Sequence, residues 1–333
     1  GLPGPQRERE ARERARTEAL APFDLARGPL LRARLLRLGE AEHWLLLAMH
    51  HIVTDGWSMT VLWRELAVLY GAFRAGRPSP LPELPLQYAD YAVRQREELA
   101  GETLAASLAY WKQALAGLSP LDLPTDRPRP ALASHEGGIV RFEVDAGIAQ
   151  ALKALARRER ATTFMVLLAA FQVLLHRYTG QEDIAVGVPI AGRSRPELEP
   201  LIGFFVNMLV MRADLGGRPG FDALLRRVRQ RALEAYEHQA LPFETIVTAL
   251  SPVRETTRNP LFGVSFAFHG AEPGAWGLPG IAVEPVEDAF GSVGAKFDLS
   301  LTLTESAGAL RGSFEYAAAL FDGSTVERMA HQF

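Results

Sequence analysis

Cysteine is absent from all 333 residues. Disulfides, thiolate metal sites and a cysteine nucleophile are therefore excluded. No apolar run approaches the roughly 20 residues that a membrane helix requires. Residues 1–16 are polar and charged, unlike a signal peptide. The net charge is only −3, so nothing global suggests a nucleic-acid partner. No Gly-x-Ser-x-Gly nucleophile elbow occurs, nor any short internal repeat or long low-complexity segment. Hydrophobic residues make up 48% of the chain, enough for a substantial core. The expectation is a soluble, cytoplasmic protein of one large domain or two compact lobes.

Residues 6–22 repeat Arg and Glu at helical spacing and predict a solvated helix. Pro29–Leu38 alternates Leu with Arg, as in a half-buried strand. Trp44–Met49 is continuously apolar, as in a buried strand, and Gly39–Glu42 forms the turn between them. A periodic helix is expected over Met59–Arg74, then a proline-rich loop at 77–85 and helices at 87–99 and 103–117. Residues 118–137 lack periodicity and form the candidate linker. Beyond them, strands are expected at 139–144, 184–188, 205–213, 262–268, 297–304 and 309–316. Helices are expected at 146–158, 163–178, 220–238 and 323–332. The pattern is α/β in two lobes, 1–125 and 126–333.

The densest cluster of chemistry-bearing residues is His50-His51-Ile52-Val53-Thr54-Asp55-Gly56-Trp57-Ser58, where an apolar strand gives way to a helix. Side chains at such strand ends emerge from a rigid scaffold. A metal site would use the same residue types. Neighbouring residues of a strand point to opposite faces, however, and no second histidine cluster or Glu-x-x-His supports one. Either histidine could instead be a hydrogen-bonded core residue. A third reading is acid–base chemistry, with an imidazole accepting a proton from an attacking amine or alcohol and Asp55 fixing the turn through an ion pair.

The segment His50–Gly56 resembles the HHxxxDG motif of condensation domains, epimerization domains and chloramphenicol-acetyltransferase-like acyltransferases. Four further segments resemble condensation-domain motifs, in the family's order. They are Tyr88-Ala89-Asp90-Tyr91-Ala92-Val93, Ile202-Gly203-Phe204-Phe205-Val206-Asn207 with Arg212, His238-Gln239-Ala240-Leu241-Pro242-Phe243-Glu244, and Arg258-Asn259-Pro260-Leu261-Phe262. The flanks, from Pro22-Phe23-Asp24-Leu25 to Phe321-Asp322, resemble the family as well. Departures are Arg94 where Trp is common, Met208 for a frequent Thr and Ala240 for a frequent Asp.

The resemblance implies two chloramphenicol-acetyltransferase-like lobes in a V arrangement. It implies amide formation between groups carried on phosphopantetheine arms, with no bound cofactor and no metal. The implied partners are donor and acceptor peptidyl carrier proteins and an adjacent adenylation domain. His51 is the implied key histidine, with His50, Asp55 and Gly56 completing the catalytic motif. Trp57, Ser58 and Asn207 are the candidate substrate contacts, and Arg193 is the candidate ion-pair partner of Asp55. Tyr88, Asp90, Pro242, Phe243 and Pro260 are expected to be structural, Pro242 starting a helix and Phe243 filling core. The Asp-Gly-Trp-Ser ending resembles the subtype that joins an L-configured donor to an L-configured acceptor. Epimerization and a non-catalytic docking module are the alternatives. The family's first two motifs have no counterpart before His50, which implies a first lobe truncated at its N-terminus and a chain that is weakly active or inactive alone.

Overall fold

The computed structural model describes residues 4–131, 134, 136–250, 259–270, 277–286, 294–306 and 308–333. Arg258 lies outside the described residues. In chain order the elements are α1 (Gly4–Leu20), β1 (Leu31–Arg37), β2 (His43–Met49), α2 (Gly56–Arg74), α3 (Tyr88–Glu98), α4 (Gly101–Ala114), β3 (Gly137–Val144), α5 (Ala146–Arg158), α6 (Thr163–Thr179), β4 (Asp183–Ile190), β5 (Asn207–Asp214), α7 (Phe221–Glu237), α8 (Phe243–Leu250), β6 (Val264–His269), β7 (Gly277–Leu278), β8 (Ile281–Ala282), β9 (Leu299–Ser306), β10 (Ala309–Ala317) and α9 (Gly323–Gln332). The fold is mixed α/β. The described residues form two compact units, one drawn from 1–93, 193–205 and 273–292, the other from 94–192, 206–272 and 293–333. The division expected at 125/126 falls inside the second unit, because Trp111 of α4 is buried in that unit's core.

The second unit is built on a six-stranded sheet of order β3-β10-β9-β6-β4-β5. β6 pairs in parallel with β9 and with β4, while the remaining pairs are antiparallel. The apolar stretches of α6 and β4 form its centre: Val166, Leu168, Ala169, Phe171, Ile184 and Val186 are fully buried. Each large side chain so removed from water contributes roughly 1.5–3 kcal/mol. Thr162 caps α6 by accepting a hydrogen bond from the Met165 N–H, and Gly180 ends it at φ +70°. A Cβ at Gly187 would lie 2.1 Å from the Phe262 ring, so the close strand–ring approach there requires glycine.

Residues 118–131 carry no helix or strand, as expected, but they are not a free linker. Leu121 and Leu123 are buried. The Asp126 carboxylate accepts from the Asp322 N–H and the Thr325 hydroxyl, and Arg129 bonds Asp298 at 2.9 Å. Proline removes helix donors, yet irregular backbone packs well when side chains fasten it.

In the first unit, β1 and β2 pair antiparallel from Leu31↔Met49 to Arg37↔His43. The expected burial of Trp44–Met49 is not met, and Leu45 is 42% exposed. A continuous apolar run is buried only if both sheet faces are covered. Here the face that carries Leu31, Leu35 and Leu45 lies open among the described residues. α1 is fastened to this hairpin by Glu18, which pairs with Arg32 and Arg34. No single helix among the described residues is long and apolar enough to cross a membrane.

Candidate active site

The two histidines follow β2 rather than lying on it, so the opposite-faces argument does not apply to them. Residues His51–Val53 make a single 3-10 turn. Thr54 and Asp55 are extended, and α2 starts at Gly56. His50 belongs to the turn itself: its N–H donates to the Leu30 carbonyl at 3.0 Å, and its Nδ1 accepts from the Ile52 N–H at 3.1 Å. Its ring packs edge-on against Phe23. His51 is exposed. Its Nδ1 lies 2.6 Å from the Thr54 carbonyl oxygen. A carbonyl can only accept, so Nδ1 carries the proton. When the ring is neutral, Nε2 then holds a lone pair.

Asp55 explains why α2 begins three residues before the expected Met59. It is the N-cap, and Oδ1 accepts from the Ser58 N–H at 2.8 Å. Oδ2 accepts from the Phe205 N–H at 3.0 Å. Arg193 reaches Oδ1 with Nη2 at 3.4 Å, both side chains being buried. That guanidinium also donates to the carbonyls of Leu198 and Leu201 and to Ser58 Oγ, and it stacks over Phe205 at 4.0 Å. Burial pulls the Arg193 pKa down, against the pull of Asp55. Burial, and then Asp55, raises that of Tyr88.

Ser58 has no exposed surface. Its hydroxyl donates to the Gly203 carbonyl at 2.8 Å and accepts from the Gly203 N–H and Arg193. It therefore has no atom free for a substrate. Trp57 is 45% exposed and donates from Nε1 to the Glu199 carbonyl at 2.9 Å. Nothing stands within 4 Å of a Cβ built on Gly56, so this chain's own packing does not require glycine there.

Asn207 lies in the second unit. Its two amide N–H groups donate to the carbonyls of Gln239 and Leu241, while Oδ1 accepts from the N–H groups of Met208 and Phe243. The amide is saturated and holds the turn that leads into α8. His238 stacks on Tyr110 with centroids 4.2 Å apart. The two border a polar cavity of about 710 Å³ that also contains Arg212, Asp214 and Glu234. Burial and Glu234 push the Tyr110 pKa up to about 12. Arg212 is held by Asp183 and the carbonyls of Ala114 and Ala116.

The structure thus brings His50, His51, Asp55, Gly56, Trp57, Ser58 and Arg193 together in one unit. Sequence reasoning missed Thr54, whose contribution is a main-chain carbonyl and leaves no side-chain signature. It also assigned no role to Phe204, although the Gly-Phe-Phe segment marked the place.

The condensation-domain profile matches residues 4–333. One of the linear gramicidin synthase proteins of Brevibacillus parabrevis is 51% identical over 329 residues, which is 98% of this chain and 4% of that protein. The chain thus spans a small fraction of that relative's length. Among solved structures, the X-domain from teicoplanin biosynthesis superposes with a TM-score of 0.88 at 33% identity, over 97% of this chain and 75% of that one. The complex of the X-domain and OxyB from teicoplanin biosynthesis matches with the same TM-score at 32% identity, over 97% and 73%. Matched from residue 4 to residue 333 and 51% identical to a peptide synthase, the chain belongs to the condensation-domain family of nonribosomal peptide synthetases.

Proposed function

We propose that this domain joins two carrier-tethered substrates by an amide bond. The amine of an aminoacyl group on the acceptor carrier attacks the thioester carbonyl of an acyl or peptidyl group on the donor carrier. A C–N bond forms, the C–S bond breaks, and the donor arm leaves as a thiol. The amine proton passes to His51 Nε2 and then to the departing sulfur. Both substrates arrive on phosphopantetheine arms, so the partners are donor and acceptor peptidyl carrier proteins, supplied by an adjacent adenylation domain in the cytoplasm. No bound cofactor is needed. The Asp-Gly-Trp-Ser ending supports an L-donor and an L-acceptor.

The observation that carries this reading is the Thr54 carbonyl 2.6 Å from His51 Nδ1, which leaves Nε2 as the accepting atom on an exposed ring. Thioesters are already activated and both substrates are tethered, so positioning supplies much of the rate. Proton transfer adds ~10²–10⁴-fold. Asp55 and Arg193 hold the frame, Gly56 lets its backbone N–H approach the reacting centre, and exposed Trp57 offers a contact surface.

The test is mass spectrometry of an acceptor carrier protein mixed with a loaded donor carrier and the chain, as wild type and as His51→Ala. A condensed product that depends on His51 is expected. Undiminished product from a well-folded His51→Ala protein would refute the proposed role. A second reading, a docking module that recruits a tailoring enzyme, is favoured by the likeness to an X-domain solved in complex with OxyB. Carrier binding without product, from the domain alone and from a longer stretch of its synthetase alike, would move the assignment there.

A further inference from the structure

We infer that Phe204 is a positioning residue that holds the His51 imidazole in its working orientation, a role that rests on the proposed function of His51. Residues 203–205 lie in no helix or strand, yet each is fastened. Ser58 Oγ donates to the Gly203 carbonyl at 2.8 Å and accepts from its N–H at 3.0 Å. The Tyr88 hydroxyl donates to the Phe204 carbonyl at 2.7 Å. The Phe205 N–H donates to Asp55 Oδ2 at 3.0 Å. Glycine is required at 203, where a Cβ would stand 2.2 Å from Tyr88 Cδ2.

Core packing does not account for this fastening at Phe204. Phe205 is the core residue of the pair, 3% exposed and clustered with Leu86, Leu198 and Leu201. Phe204 stands outside that cluster and is only half-buried. Its ring meets the His51 imidazole edge-on instead, with centroids 5.1 Å apart and planes at 90°, a favoured aromatic geometry. The χ2 torsion of histidine is intrinsically broad. One hydrogen bond at Nδ1 ties a single atom of the ring. A wall against the ring itself removes the remaining swing, so that Nε2 faces one direction. The same residues that cap α2 and pair with Arg193 thus fix the wall as well as the histidine, which couples the two.

The test uses the full chain with 15N-labelled histidine, as wild type, Phe204→Ala, Phe204→Leu and Phe204→Tyr. Two quantities are read: the His51 ring-nitrogen signals, and kcat and KM for condensation. Phe204→Ala should lower kcat about 10- to 100-fold, the order expected of a misplaced reacting group, with KM little changed. Its His51 signals should shift or broaden, and Phe204→Tyr should restore both. Should Phe204→Ala fail to fold, Phe204→Leu, which keeps bulk without the ring, carries the test. Unaltered His51 signals in a folded Phe204→Ala or Phe204→Leu protein would overturn the role, as would an unaltered kcat. If His51→Ala itself leaves condensation intact, the underlying function fails, while the ring signals still decide whether Phe204 holds the histidine.

Discussion

Arg193 reaches Asp55 in the interior of the first unit, Nη2 to Oδ1 at 3.4 Å, and the same guanidinium bonds Ser58 Oγ and the carbonyls of Leu198 and Leu201. Removing one member strands the other, which for a buried pair costs ~3–5 kcal/mol. Arg193→Ala should therefore lower the urea midpoint sharply. Arg193→Lys should recover little, since an ammonium cannot span four acceptors in a plane. A midpoint equal to wild type for either variant would contradict this account.

Ser58→Ala should destabilise the protein by about 1–3 kcal/mol, because the Gly203 N–H and carbonyl and one Arg193 donor then lose their partner away from water. Ser58→Thr should be no remedy, since the site has no room at zero exposure. Chemical denaturation of the two variants checks this.

Asn207→Asp should be worse than Asn207→Ala. Aspartate places an acceptor where the carbonyls of Gln239 and Leu241 now receive two donors, so like faces like. The thermal midpoints should fall in the order wild type, alanine, aspartate, and the reverse order for the variants would exclude the saturated-amide account.

Asp126 supplies a pH dependence. The Asp322 N–H holds its carboxyl below the usual carboxylate range; slight desolvation opposes, and the Thr325 hydroxyl adds to the lowering. The folded state therefore binds this proton less readily than the unfolded chain does. The resulting stability is complete above the ordinary aspartate value of about 3.9 and is lost as the pH falls through the lower folded value. Asp126→Asn should flatten the acid limb of a stability-against-pH curve. An unchanged acid limb would show that these bonds do not titrate with folding.

Much of this was legible in the sequence, and the remainder was hidden for identifiable reasons. The apolar stretches of α6 and β4 sit in the core because enough of their residues are apolar that no face could be turned to water. Trp44–Met49 looks the same in the sequence but is partly exposed, since burial depends on what covers a strand. The residues of the histidine turn were visible by type and spacing. Their wiring was not: the Thr54 carbonyl is chemically identical to any other, and Ser58 reads equally well as a surface contact or a buried tie. α8 was foreseen only through its start at Pro242, because eight residues are too few for a periodic signal.

The first unit is assembled from three separated stretches of chain, and this sets a schedule for its birth on the ribosome. Asp55 precedes Arg193 by 138 residues and Phe205 by 150. At about 5–20 residues per second, the carboxylate waits on the order of ten seconds before its partners exist. Until then the histidine turn can form locally but cannot be locked. Translation speed across the intervening stretch, which carries β3, α5, α6 and β4, is thus a lever on the yield of correctly wired sites that no change of amino acid would reveal.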